Sequence, residues 1–135
     1  MNIEIENLSV SYGSGLFSRS APVKALDQIT LSIPAGSTMG IVGESGSGKS
    51  TLGRVLLRML PPDAGAVSVG GKNLYGLRGS SLGAFRRNVQ AVFQDSGASL
   101  NPRQNIGASI AEGLDIHRIG TVSERHTRLI ELLEG

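Results

Sequence analysis

The chain has no cysteine and no tryptophan, and aromatic residues fill only 4% of its 135 positions. Without cysteine there is no disulfide framework, no thiolate metal site and no cysteine nucleophile, a usage that suits a reducing cytosol. No apolar run reaches the roughly 18 residues of a membrane span. The opening Met1-Asn2-Ile3-Glu4-Ile5-Glu6 has neither the basic start nor the apolar core of a signal peptide. An excess of one charge is lacking too. The net charge of +2 is too mild to argue for nucleic acid or an anionic membrane surface. There is no internal repeat and no low-complexity tract. With 39% hydrophobic and 18% charged residues the composition is not that of a disordered chain, and the length suits one ordinary domain.

What is abundant is glycine, at 19 residues, and its placement organises the rest. Gly43-Glu44-Ser45-Gly46-Ser47-Gly48-Lys49-Ser50-Thr51 matches the phosphate-loop pattern G-x-x-x-x-G-K-[ST]. Before it, Thr38-Met39-Gly40-Ile41-Val42 is a short apolar run of the kind that forms a buried strand. After it, Leu52, Val55, Leu56, Met59 and Leu60 recur at i, i+3, i+4, i+7 and i+8, which predicts an amphipathic helix from Lys49 to Leu60, stopped by Pro61-Pro62. Strand, glycine loop and helix in this order form an anion site. Gly46 and Gly48 can take positive φ and put no Cβ where a phosphate must lie. Successive backbone N–H groups make a nest, and the helix N-terminus adds its partial positive charge. Lys49 is placed to reach the β- and γ-phosphates of a nucleotide, and the Ser50 hydroxyl to bind Mg²⁺. The competing reading is a glycine turn that merely joins strand to helix; the context argues against it.

In chain order, residues 3 to 12 read as a strand. Ile3 and Ile5 alternate with glutamates, Leu8 and Val10 with serines, and the parity shift between Ile5 and Leu8 predicts a bulge near Asn7. Tyr12 ends the strand. A polar loop, 13 to 20, carries one apolar pair, Leu16-Phe17. A second strand over 25 to 33 alternates with one wet face, as antiparallel sheets do. Ala66 to Val69, Gly70-Gly71 and Lys72-Asn73-Leu74 read as a hairpin. Ser80 to Asn88 reads as a short, glycine-weakened helix carrying Arg86 and Arg87 on a solvated face. Val89-Gln90-Ala91-Val92-Phe93 reads as another buried strand, with Gln94 at its end. A Ser-, Gly-, Asn- and Pro-rich loop, 95 to 103, precedes a helix from Gln104 to Leu114. Thr121-Val122-Ser123-Glu124 is a capping box that opens a last helix toward Gly135. His117 and His126 lack ligand-spaced partners and read as surface histidines.

Taken together, Tyr12 about thirty residues before the phosphate loop, Gln94 after a strand and the run from Asp95 to Arg103 resemble the ATP-binding subunit of ABC transporters. Val92-Phe93-Gln94-Asp95, Ser99-Leu100-Asn101-Pro102-Arg103, and Gly15-Leu16-Phe17 ahead of Val23-Lys24-Ala25-Leu26 are similar to the oligopeptide/dipeptide importer branch. The resemblance implies an α/β fold: a partial P-loop NTPase core (38–63 and 76–94), an N-terminal antiparallel β part (1–37 and 64–75), and the start of an α-helical subdomain (95–135). It implies ATP and Mg²⁺ as ligands. Gly43, Glu44, Ser45, Gly46, Ser47, Gly48, Lys49, Ser50 and Thr51 would hold the nucleotide, and Tyr12 would stack on adenine unless it simply closes a strand. Lys49 and Gln94 would serve catalysis, Ser50 and Gln94 the metal, unless Gln94 is only a polar strand end. Residues 99 to 103 either face a permease or form the solvated turn that Asn101-Pro102 makes anyway. The implied partners are transmembrane permease subunits and a second ATP-binding subunit, on the cytoplasmic face of a membrane touched only through the permease.

The family's LSGGQ-type signature, its strand ending in Asp-Glu and its switch histidine have no counterpart in this sequence. An intact nucleotide domain of this family needs roughly 250 residues, near the upper end of single-domain size, so the chain reads as about the N-terminal half. Strands of the other half would lie between the P-loop strand and the strand ending at Gln94. Three functions follow: an ATPase subunit cut short; a module that binds nucleotide without turnover, which the missing acidic pair favours; or another P-loop enzyme such as a small-molecule kinase, which the run from Gln94 to Arg103 and the antiparallel sheet argue against. Unfilled sheet positions predict wet apolar faces and association of the chain.

Overall fold

The computed structural model describes residues 1–13, 21–94 and 101–134. The loop holding Leu16-Phe17 and the stretch from Asp95 to Leu100 lie outside them. The chain divides into two compact units, Met1–Leu82 and Gly83–Gly135, each taken by itself below.

The first unit is built on a four-stranded antiparallel sheet in the order β2-β1-β3-β4. Its strands are β1 (Ile3–Tyr12), β2 (Val23–Ile33), β3 (Ala64–Val69) and β4 (Lys72–Asn73), with helix α1 (Lys49–Leu56) between β2 and β3. The bulge falls where the parity shift placed it. Register breaks between Ile5 and Leu8, and Asn7 takes φ 48°. The extra residue returns Leu8 and Val10 to the face already occupied by Ile5, and all three are buried. Leu26 of β2, Val67 and Val69 of β3, and Leu52 and Val55 of α1 complete the core with Leu74. Each such side chain contributes about 1.5–3 kcal/mol over its exposed state. Gly70 and Gly71 both have positive φ, 57° and 74°, as the two-residue hairpin between β3 and β4 requires. The returning strand is shorter than expected. Asn73 accepts the N–H groups of Tyr75 and Gly76 on its side chain, and Leu74–Gly76 coils into a 3₁₀ turn.

Two expectations about α1 and its approach are corrected. The helix ends at Leu56, a turn before Pro61-Pro62. Arg58 takes the left-handed conformation (φ 57°), Met59 N–H bonds to Arg54 O and Arg58 N–H to Val55 O, the pattern of a Schellman close with arginine where glycine is usual. Leu60 precedes a proline and is disfavoured in helix in any case. The run 38–42 forms no strand, and Val42 is 97% exposed. A strand exists only with a hydrogen-bonded neighbour, and none of β1 to β4 is one for this run.

Helix α2 (Gly79–Asn88) spans the junction of the units. In the second unit, 89–93 is likewise not a strand, with Val92 100% and Phe93 57% exposed and no strand beside them among the described residues. Helices α3 (Ile106–Ile116) and α4 (Val122–Glu134) follow. Asn105 caps α3 by accepting Ala108 N–H, so that helix starts two residues later than periodicity alone placed it. Arg118, again left-handed, closes it. The capping box holds: Thr121 N–H donates to Glu124 Oε2 at 2.6 Å and Glu124 N–H to Thr121 Oγ1 at 3.3 Å. Arg125 clasps the intervening turn, donating to the carbonyls of Ile119 and Gly120 and pairing with Asp115. Neither helix buries a residue completely.

Candidate functional site

The glycine loop sits where β2 and α1 converge. Gly48, at φ 92°, is the N-cap of α1 and offers no side-chain cap. A Cβ there would collide with the carbonyl oxygen of Ala25 and stand 2.9 Å from Leu26 Cδ2. Glycine is therefore what lets the helix N-terminus press against β2. Gly46 is also left-handed (φ 83°), but the space where its Cβ would project is open. The first-turn amides of α1 have no acidic side chain near them, which leaves the partial positive charge of the helix end available to an outside anion.

Ser45 to Thr51, with Tyr12, Val23, Lys24 and Ala25, line a cleft of about 610 Å³. Lys49 is folded back over the loop. Its Nζ donates to Gly43 O at 2.8 Å, Glu44 O at 2.6 Å and Ser47 Oγ at 3.3 Å. Those three bonds use the whole donor capacity of an ammonium group, so an incoming anion must draw Lys49 away from loop oxygens it already holds. One amide differs from the expected nest: Ser47 N–H is spent on Glu44 O, closing a turn. Gly43 and Glu44 shape the loop without lining the cleft. Ser50 is exposed, and Thr51 is buried.

Tyr12 stands at the end of β1, opposite Val23, and is 41% exposed. Its hydroxyl lies 3.2 Å from Thr51 Oγ1. That hydrogen bond, and to a smaller extent the nearby Arg54 guanidinium, holds the phenol below the ordinary tyrosine range. Sequence reasoning placed Tyr12 and Thr51 in one site but missed their bond, and it missed Val23, Lys24 and Ala25 as a wall. The strand register that sets Val23 beside Tyr12 was the signal, and it depends on bulges that periodicity does not count. Gln94 lies in the second unit and is exposed. Residues 101–103 form a turn, with Arg103 N–H bonded to Asn101 Oδ1. Among the described residues no group of acidic, histidine or cysteine side chains could by itself hold a metal, and no helix is long and apolar enough to cross a membrane.

The ABC transporter family model matches residues 26–134. The chain belongs to the ABC transporter family. Among curated members this ABC chain is 38% identical over 133 residues to the oligopeptide transport ATP-binding protein OppF of Streptococcus mutans, covering 98% of the chain and 42% of that protein. It is 41% identical to the putative oligopeptide transport ATP-binding protein YkfD of Bacillus subtilis, covering 98% of the chain and 40% of that protein. The chain thus spans about two-fifths of the length of the curated relatives it matches. Its backbone superposes on the ATP-binding cassette MJ0796, solved as a dimer in a post-hydrolysis state with ADP and Pi, with a TM-score of 0.76 and 26% identity over 98% of this chain and 56% of that one. The ABC cassette likeness and the antiparallel sheet agree with the partial α/β P-loop fold expected from the sequence.

Proposed function

We propose that this chain binds MgATP in the cleft between Tyr12 and the glycine loop. The observation that carries the reading is the uncapped N-terminus of α1, opening into that cleft beside a lysine held only by loop oxygens and a serine hydroxyl. The residues fit the group. Gly46 leaves open space for phosphate oxygens, the amides of 48–51 begin a helix, and Lys49 supplies a mobile charge at the γ-phosphate end. Gly43, Glu44, Ser45 and Ser47 shape the loop. Ser50 would offer its hydroxyl to Mg²⁺, which when bound neutralises charge on the terminal phosphates; Gln94 is a candidate second ligand on the family pattern alone. Tyr12 offers a ring face to adenine.

In the whole protein, ATP hydrolysis would drive import of peptides or similar solutes, a reading supported by the oligopeptide-transport names of OppF and YkfD. The partners would be permease subunits and a second ATP-binding subunit, a pairing supported by the dimeric cassette. The protein would then sit on the cytoplasmic face of the membrane through the permease. The runs 38–42 and 89–93 would each become a strand only beside a hydrogen-bonded neighbour, which accounts for the exposure of Val42 and Val92. This chain alone carries no acidic pair after a strand to polarise water, so it binds without turnover.

Calorimetry with ATP, and phosphate release, on this chain beside the same chain continued to the length of its relatives tests both parts. Binding to the chain is expected, lost on Lys49→Ala, with negligible turnover. No binding overturns the nucleotide reading; turnover at ordinary enzyme rates, lost on Lys49→Ala, overturns the binding-only reading.

A further inference from the structure

We propose that Thr51 is a positioning residue whose hydroxyl fixes the Tyr12 ring at the rim of the cleft, ready to receive a nucleobase. The inference rests on the nucleotide reading above and assigns Thr51 to the base rather than to the phosphates. Thr51 is 7% exposed, the one buried polar residue among those described. A threonine in a helix commonly returns its hydroxyl to the carbonyl three or four positions back. Here the hydroxyl meets Tyr12 Oη at 3.2 Å, 39 positions away in sequence. Tyr12 needs such a hold. It is the last residue of its strand, and among the described residues its only strand partner at that position is Val23, itself 67% exposed. A ring 41% exposed keeps part of its rotamer freedom, and base binding would have to restrict it. The bond to the first turn of α1 ties the direction of the ring to the helix that carries Lys49 and Ser50, so base wall and phosphate end are set by one rigid element.

The experiment is calorimetric titration of ATP and, separately, inorganic tripolyphosphate into the wild-type chain, Thr51→Val, Thr51→Ser, Tyr12→Phe and the double variant Thr51→Val/Tyr12→Phe. Loss of one hydrogen bond predicts ATP binding weakened by about three- to tenfold in Thr51→Val and in Tyr12→Phe. The ratio of ATP to tripolyphosphate affinity falls by the same factor. Thr51→Ser restores it, and the double variant is no weaker than either single one. Equal loss for both ligands, additive loss in the double variant, or no rescue by serine overturns the assignment. Undiminished ATP binding in Thr51→Val overturns this inference alone, whereas absence of ATP binding by the wild type overturns the nucleotide reading with it. Should Thr51→Val fail to fold, Tyr12→Phe, which removes a single oxygen from a residue 41% exposed, and Thr51→Ser carry the same comparison.

Discussion

The Tyr75 hydroxyl lies 2.9 Å from the carbonyl oxygen of Val55, and Leu60 O is its second neighbour. Val55 stands in the last turn of α1, so a side chain from beyond the sheet accepts the task of ending that helix. Tyr75→Phe removes the one O–H shared by these carbonyls, so Leu60 O loses its donor while Val55 O keeps the Arg58 N–H. The expected loss is about 1–3 kcal/mol of unfolding free energy, measured by urea denaturation; a change below about 0.5 kcal/mol would show that the helix end holds itself.

Gly48→Ala and Gly46→Ala separate backbone strain from collision. Both positions are left-handed, but only Gly48 faces Ala25 O and Leu26. Alanine at 46 is expected to cost about 1–2 kcal/mol, and alanine at 48 roughly 2–4 kcal/mol, because steric overlap adds to strain. Equal costs in denaturant titrations would mean that α1 can back away from β2.

The two tyrosines should titrate apart. Thr51 and Arg54 favour the Tyr12 phenolate, whereas burial, only partly offset by Arg58, holds Tyr75 above the ordinary value. Tyrosinate absorbance is therefore expected in two steps on either side of about pH 10. Tyr12→Phe abolishes the early step and Tyr75→Phe the late one. The stability consequences differ in sign. The raised Tyr75 value gives stability that is whole below about pH 10 and lost as pH climbs through the folded value. The lowered Tyr12 value gives stability that is whole above about pH 10 and lost as pH falls through the folded value.

Val42 and Val92 are 97% and 100% exposed in runs that carry Met39, Ile41 and Phe93, also exposed. The chain is expected to associate, with light scattering showing species above the monomer. Val42→Lys and Val92→Lys together should reduce this while changing unfolding free energy by no more than about 0.5 kcal/mol each. A stable monomer of the unaltered chain would count against the reading.

Local signals in the sequence were legible where they needed no distant partner. The shift from Ile5 to Leu8 announced the bulge at Asn7, Thr121 and Glu124 announced α4, and the glycine loop announced itself. The runs 38–42 and 89–93 have the composition of buried strands, but composition does not supply the neighbour a strand must bond to. The early end of α1 was hidden because Arg58, not glycine, takes the left-handed position. The Tyr12–Thr51 bond was hidden for a related reason: it joins a strand end to a helix start, and nothing in either stretch names the other.

The sheet order has a consequence for how the protein is made. Strand β1 is central, flanked by β2 and β3, yet Ser68 meets Glu4 at a separation of 64 positions. At translation rates of roughly 5–20 residues per second, β1 emerges several seconds before its second neighbour exists. During that interval β1 paired with β2 keeps one open edge and an uncovered apolar face, both of which close only when β3 is made.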